Sequence, residues 1–202
     1  METTAPKTAQ PLIYELPSIL ERLDLAKLFP HPQPLEVELG CGDASFLAEY
    51  ARQNPATNFL GVERLLGRVK KVERKGRRLG LTNICGVRIE SAYLLEYLLP
   101  PHCATALHIY FPDPWPKKKH RKFRLINERF PTLARQALQP SGIVYLRTDD
   151  LDYFQQMTEV FAADKSFKPV ETPANLAVVV TDFERDFNAE GIPTNRAAYQ
   201  RV

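Results

Sequence analysis

The sequence predicts a doubly wound α/β architecture, a mostly parallel seven-stranded sheet with helices on both faces. Two observations lead there. Apolar runs of strand length alternate with longer amphipathic stretches from residue 35 onward, the pattern of parallel strands joined by crossover helices. A chain of 202 residues, 44% hydrophobic and 25% charged, suffices for one such core but not comfortably for two. Residues 1–34 are expected to form a tail, a short amphipathic helix over 17–29 and a linker carrying Pro30, Pro32 and Pro34, with residues 35–202 as a single domain.

The elements follow in order. LEVEL at 35–39 alternates apolar and acidic residues, the period of a strand, and 44–54 is a helix after a glycine turn. The apolar run 58–62 is the second strand, and 66–79 is a strongly basic helix. A strand over 83–89, a helix over 92–99 and the most apolar strand, 105–110, come next. A helix is expected over 124–138, a turn at Ser141-Gly142, a strand over 143–147, a helix over 151–163 and a strand over 167–170. Thr181 and Glu184 are spaced as a capping box and Gly191 as a left-handed C-terminal turn, so a helix lies between them; a strand over 197–202 ends the chain.

The net charge of +3 hides an asymmetry. Stretches 64–78 and 117–124 hold 14 of the 27 Lys/Arg and one of the 24 acids, which leaves 13 cations against 23 acids, or −10, elsewhere. A basic face on an otherwise acidic chain is the footprint of a polyanion. Cys41, Cys85 and Cys103 are odd in number and form no CxxC pair, which speaks for a reducing cytoplasm and against a disulfide frame or a metal site. The start METTAPKTAQPLIYELPSIL has no basic segment followed by an apolar one, and no run approaches the roughly 20 apolar residues of a membrane span.

The most informative stretch is YFPDPWPKKKHRKFR at 110–124. Pro112, Pro114 and Pro116 rule out helix or ladder and stiffen a loop that holds one acid, Asp113, beside the only tryptophan. Lys117, Lys118, Lys119, Arg121, Lys122 and Arg124 follow as candidate phosphate contacts. Such a loop can hold a planar base and grip the phosphates around it, and Tyr110, Phe111 and Trp115 are candidates to stack that base.

At the first strand end stands Glu38-Leu-Gly40-Cys-Gly42-Asp43, where glycines let a ligand approach the backbone. Glu63 ends the second strand, placed to accept both hydroxyls of a ribose. A dinucleotide is the rival ligand, but a pyrophosphate does not suit glycines flanked by Glu38 and Asp43. Two acids suit a cationic cofactor such as S-adenosylmethionine, which carries an ammonium and a sulfonium and no phosphate.

With E-x-G-x-G, GVE at the second strand end and FPDPWPKKKHRK after the fourth strand, the chain resembles the bacterial tRNA (guanine-N7)-methyltransferases from about residue 35 to 202. The resemblance implies a Rossmann-like S-adenosylmethionine-dependent domain and, as substrate, a guanosine of the tRNA variable loop. It implies a cofactor pocket of Glu38, Gly40, Gly42, Glu63, Ser91 and Asp113, with Asp113 also the catalytic acid. Ser91 stands where the family usually has Asp or Asn, a weaker contact for an adenine amino group. Lys117, Asp149, Thr181, Asp182, Phe183 and Glu184 would meet the target nucleotide, as a monomer or homodimer with no obligate partner. The rivals are a methyltransferase of another RNA or a small molecule, and a non-catalytic RNA-binding protein on the same fold. A small-molecule methyltransferase has no use for 14 clustered cations, and a non-catalytic RNA-binding protein predicts a damaged glycine turn.

Overall fold

The computed structural model describes residues 11–202. Its strands are β1 (Ile13–Tyr14), β2 (Leu35–Leu39), β3 (Asn58–Glu63), β4 (Ile84–Arg88), β5 (Ala104–Tyr110), β6 (Leu138–Thr148), β7 (Phe167–Val170) and β8 (Asn195–Arg201). They form one sheet in the order β1-β4-β3-β2-β5-β6-β8-β7, antiparallel only where β8 meets β6 and β7. From β2 the chain winds outward through β3 to β4, then returns to the other side of β2 with β5. Strand order therefore reverses between β2 and β5, and the crevice beyond their carboxyl ends is where such sheets bind ligands.

Helices α1 (Ser45–Gln53), α2 (Leu66–Arg78), α3 (Ser91–Tyr93), α4 (Phe130–Ala137), α5 (Leu151–Ala162), α6 (Ala174–Ala177) and α7 (Asp182–Ala189) cover the sheet. Phe46 and Leu47 of α1, Val72 of α2 and Leu176 of α6 pack one face with Phe59, Tyr110 and Tyr145. Phe130 of α4 and Met157 and Phe161 of α5 pack the other with Val37, Leu60, Leu107 and Leu146. Both faces are buried, and β3, β4 and β5 accordingly read as largely apolar runs, while β2 carries Glu36 and Glu38 between its apolar residues.

The structure departs from the expected elements in several places, the unforeseen α6 among them. An eighth strand, β1, pairs Ile13 and Tyr14 with Gly86 and Val87; two residues are too few to show a period. No helix forms over 17–29: one 3-10 turn, Leu25–Lys27, interrupts a strap whose Leu23, Leu28 and Phe29 are buried while Leu20 is 84% exposed. The Leu23 N–H donates to the Leu98 carbonyl and Arg22 donates to that of Leu99, so tertiary bonds override the helical spacing. The helix expected from 124 starts only at Phe130, because the Asn127 side chain bonds the Arg124 carbonyl and the Arg129 N–H and closes a competing turn. The turn at Ser141 becomes a bulge inside β6, Ser141 taking φ 64° where β5 shifts its pairing from Leu138 to Ile143. The tail expected at residues 1–10 lies outside the described residues.

The segment carrying α6 and α7 crosses the carboxyl ends of β5 and β6, and a buried ion network holds it there. Arg147 of β6 donates to the Val179 and Leu176 carbonyls, each at 2.7 Å, and to the Glu184 carboxylate at 2.9 Å. Its guanidinium lies 4.3 Å from the Tyr110 ring centre. Arg196 of β8 pairs with the other oxygen of Glu184, whose side chain is 0% exposed. Truncating one member of such a group strands the rest in a dry interior. Glu184→Ala is expected to cost about 3–5 kcal/mol in urea unfolding; a loss below about 1 kcal/mol would show that the two arginines find other partners.

Candidate active site

The cleft begins at the turn from β2 to α1. Gly40 and Gly42 take φ 81° and 53°, a conformation that L side chains resist, and the Gly40 and Cys41 N–H groups both donate to the Val62 carbonyl at 2.9 Å. Nothing lies within 4 Å of where a Cβ on Gly40 would stand, so the turn presents bare backbone to the cleft. Glu38 sits below it, 3% exposed, with Oε2 buried and without a hydrogen-bond partner. Burial, then the negative charge of Asp43, pushes the Glu38 carboxyl well above its ordinary value.

Asp43 is different. One oxygen accepts from the Ser45 N–H at 3.1 Å and the other meets the Lys75 ammonium at 2.7 Å. Burial works against the charge, but Lys75, Asp182 and Ser45 together hold the Asp43 carboxyl far below its usual range. The expectation of two free acids beside the glycines is thus corrected to one, Glu38, because Lys75 turns inward to neutralise Asp43.

Across the crevice, the chain leaves β5 through Tyr110, Phe111, Pro112, Asp113 and Pro114 and meets Asp149, Thr181, Phe183 and Phe187. Together with the glycine turn these residues enclose about 300 Å³. Asp113 is exposed, and among the described residues nothing bonds or pairs with its carboxylate. A polar chain runs beneath: the Tyr110 hydroxyl lies 2.8 Å from His108, whose other ring nitrogen lies 2.6 Å from Glu36. Phe111 packs on Phe187 at 5.8 Å between ring centres. Phe187 was missed in the sequence, although its four-residue spacing from Phe183 puts both rings on one helical face.

Of the residues singled out in the sequence, Glu38, Gly40, Gly42, Asp113, Asp149, Thr181 and Phe183 line this cleft. Glu63 stands at the end of β3 just outside the lining, accepting from the Leu65 N–H at 2.9 Å and lying 3.8 Å from Arg68, which does line the cleft. Ser91 starts α3 beyond the lining; Glu90 caps that helix. Asp182 pairs with Arg185 at 2.6 Å and approaches Lys75 at 3.8 Å. Lys117, Lys118, Lys119 and Lys122 are exposed.

Two expected contacts are overturned by burial. Glu184 does not reach the cleft, because its carboxylate is consumed by Arg147 and Arg196. Arg124 is not free for a phosphate: it is 1% exposed and donates to the Pro114 carbonyl at 2.7 Å, to Gln156 at 2.8 Å and to Asp152 at 2.6 Å. It is the strut that fixes the Asp113 loop. Arg121 shares Asp152 at 2.8 Å and is only partly available.

A model of the family described as "Putative methyltransferase" matches residues 32–197. The tRNA (guanine-N(7)-)-methyltransferase of Syntrophotalea carbinolica is 34% identical over 178 residues, 86% of this chain and 77% of that protein. Those of Streptomyces avermitilis and Geobacter metallireducens are 34% and 35% identical, over 89% and 74% of this chain and 64% and 71% of their own lengths. Among solved structures, the 16S rRNA methyltransferase KamB superposes with a TM-score of 0.61 at 16% identity, covering 88% of this chain and 91% of that one. The 30S ribosomal A1408 methyltransferase from an uncultured bacterium gives 0.59 at 17% identity, covering 90% and 95%. At these identities the structural likeness is one of fold.

The unpartnered Glu38 carboxylate has a measurable consequence. Between its ordinary value of 4.5 and its higher folded value, the folded chain keeps a proton that the unfolded chain has lost. Stability therefore falls as pH rises through that window, and the loss is complete above the folded value. Glu38→Gln removes it. The ligand-free variant is expected to melt above wild type at mildly alkaline pH and to converge with it in acid, in melting curves across that range. A variant that melts lower at every pH would mean that the carboxylate has a partner.

Proposed function

Because the chain belongs to the tRNA (guanine-N(7)-)-methyltransferase family, we propose that it methylates N7 of a guanosine in the variable loop of tRNA, with S-adenosylmethionine as the donor. One observation carries this reading. A buried carboxylate without a partner, Glu38, and a rigid unpaired carboxylate, Asp113, face one cleft across a turn of open backbone.

The residues fit the donor. Glu38 lacks only a buried cation, and the donor's ammonium is one. Gly40 and Gly42 leave room for close approach, and Glu63 offers ribose hydroxyls an oxygen that Arg68 attends at 3.8 Å. Ser91, next to the end of β4, is the candidate for the adenine amino group. When bound, S-adenosylmethionine supplies a methyl group made electrophilic by the positive sulfur that carries it.

The chain's own work is to bind and orient. Guanine N7 is an unprotonated acceptor at neutral pH, so no side chain has to remove a proton from it. Phe111, Phe183 and Phe187 provide flat apolar surface for an extruded base, while Asp113 and Asp149 can accept its N1–H and N2–H and so select guanine. Positive charge passes to the purine ring as the methyl moves, and Asp113, held by two prolines and by Arg124, stands ready to stabilise it. Thr181, at the start of α7, lines the same cleft, and Lys117 and Asp182 are the neighbouring candidates to meet the nucleotide.

The reading is tested by incubating the protein with methyl-labelled S-adenosylmethionine and bulk tRNA and digesting the product to nucleosides. Label is expected in 7-methylguanosine; label in another nucleoside, or in none, overturns the reading. Asp113→Asn keeps shape and removes charge. It is expected to lower kcat by about 10²-fold or more, with the melting point little changed. Near-normal turnover would pass the role to Asp149.

A further inference from the structure

The aromatic side chains around Asp113 divide into two sets. Phe111, Phe183 and Phe187 line the cleft; Trp115 does not. It turns outward and packs against Phe123 at 5.3 Å and His120 at 5.9 Å between ring centres, and His120 and Phe123 lie 6.1 Å apart. Phe111 and Trp115 flank Asp113 and both take the left-handed backbone conformation, at φ 50° and 44°. Bulky residues adopt it only at a cost of about 1–3 kcal/mol each, and such strain gathers at functional sites. Here it sends one ring into the cleft and the other onto the surface.

The outer cluster is not a buried minor core. Phe123 is 56% exposed, on a 3-10 turn made almost wholly of cations. Around it Lys117, Lys118, Lys119 and Lys122 are exposed, and none pairs with an acid among the described residues. The Lys122 ammonium lies 5.2 Å from the Phe123 ring centre. A flat apolar surface with one ammonium against its ring and further unpaired ones on and next to the same turn matches a base with its phosphate, not a protein or a lipid tail.

We propose that Trp115 and Phe123 form a second base-stacking platform, outside the methyl-transfer cleft, for an unpaired nucleotide adjoining the target guanosine. Asp113 and Trp115 are two residues apart, at most about 7 Å along the chain, so the platform and the cleft serve near neighbours on one strand. The stacked neighbour would keep the strand splayed and so present the target base. This rests on the tRNA reading above.

Trp115 is the single tryptophan of the chain, so its fluorescence reports the platform directly. Adding tRNA, without donor, is expected to quench it. Phe123→Tyr keeps a flat ring and is expected to bind tRNA within about twofold of wild type. Phe123→Leu keeps apolar packing without a face to stack on, and is expected to bind about tenfold more weakly, within the range of one lost base–aromatic stack. The slope of log affinity against log salt should stay unchanged in Phe123→Leu but fall by about 0.7–0.9 in Lys122→Ala. Equal tRNA affinities for the Leu and Tyr variants, or emission indifferent to tRNA, overturn the platform. If quenching and the Leu/Tyr difference persist while no label reaches guanosine N7, the platform stands and the proposed methyl transfer alone falls.

Discussion

Arg147 is the contact on which the functional end of this molecule depends. It rises from β6, lies under the Tyr110 ring, caps two carbonyls at the end of α6 and meets Glu184 of α7. A guanidinium suits this task because its planar fork presents five donors that an ammonium cannot match. Without it, the segment carrying Thr181, Phe183 and Phe187 would cross the strand ends with unsatisfied carbonyls and a buried carboxylate left to Arg196 alone. The cleft wall is thus an extension of the core, and its polar content is what fixes its position.

The same sorting of charge runs through the basic stretches. Lys75 is spent on Asp43, Arg77 pairs with Glu73 at 2.7 Å, Arg68 attends Glu63, and Arg124 is sealed beneath the Asp113 loop. In these stretches the cations left without an acid among the described residues fall into two groups, Lys117 to Lys119 and Lys122 after the Asp113 loop, and Arg64, Lys70, Lys71, Arg74 and Arg78 along and just before α2. A count of positive residues therefore overstates the surface open to a polyanion.

What the sequence reveals is what local rules decide. The central strands, their alternation with helices and the glycine turn follow from periodicity and from φ values that only glycine tolerates easily, and they bring Glu38, Gly40, Gly42, Asp113 and Asp149 to one crevice. Thr181 shows both the reach and the end of such rules. Its hydroxyl accepts from the Glu184 N–H at 2.9 Å as a cap should, yet the Glu184 carboxylate turns away from the cap to two arginines distant in sequence. Arg124 and Lys75 read as solvent-facing charges because their partners, Asp152 and Asp43, lie 28 and 32 residues away. The strap over 17–29 and the two-residue β1 depend wholly on what they pack against, and no local pattern announces them.

The place of β8 bears on how the molecule is assembled. It is the last element in sequence order, yet it lies between β6 and β7, and β7 has no other strand beside it. On a ribosome β7 emerges with no hydrogen-bonding neighbour and must wait for β8. Arg196 arrives with β8 and gives Glu184 its second counter-charge. The wall of the cleft is therefore finished by the last of the described strands, and a chain halted before residue 195 would lack an interior strand rather than an edge. Without β8 the sheet has a gap between β6 and β7, beside its binding crevice.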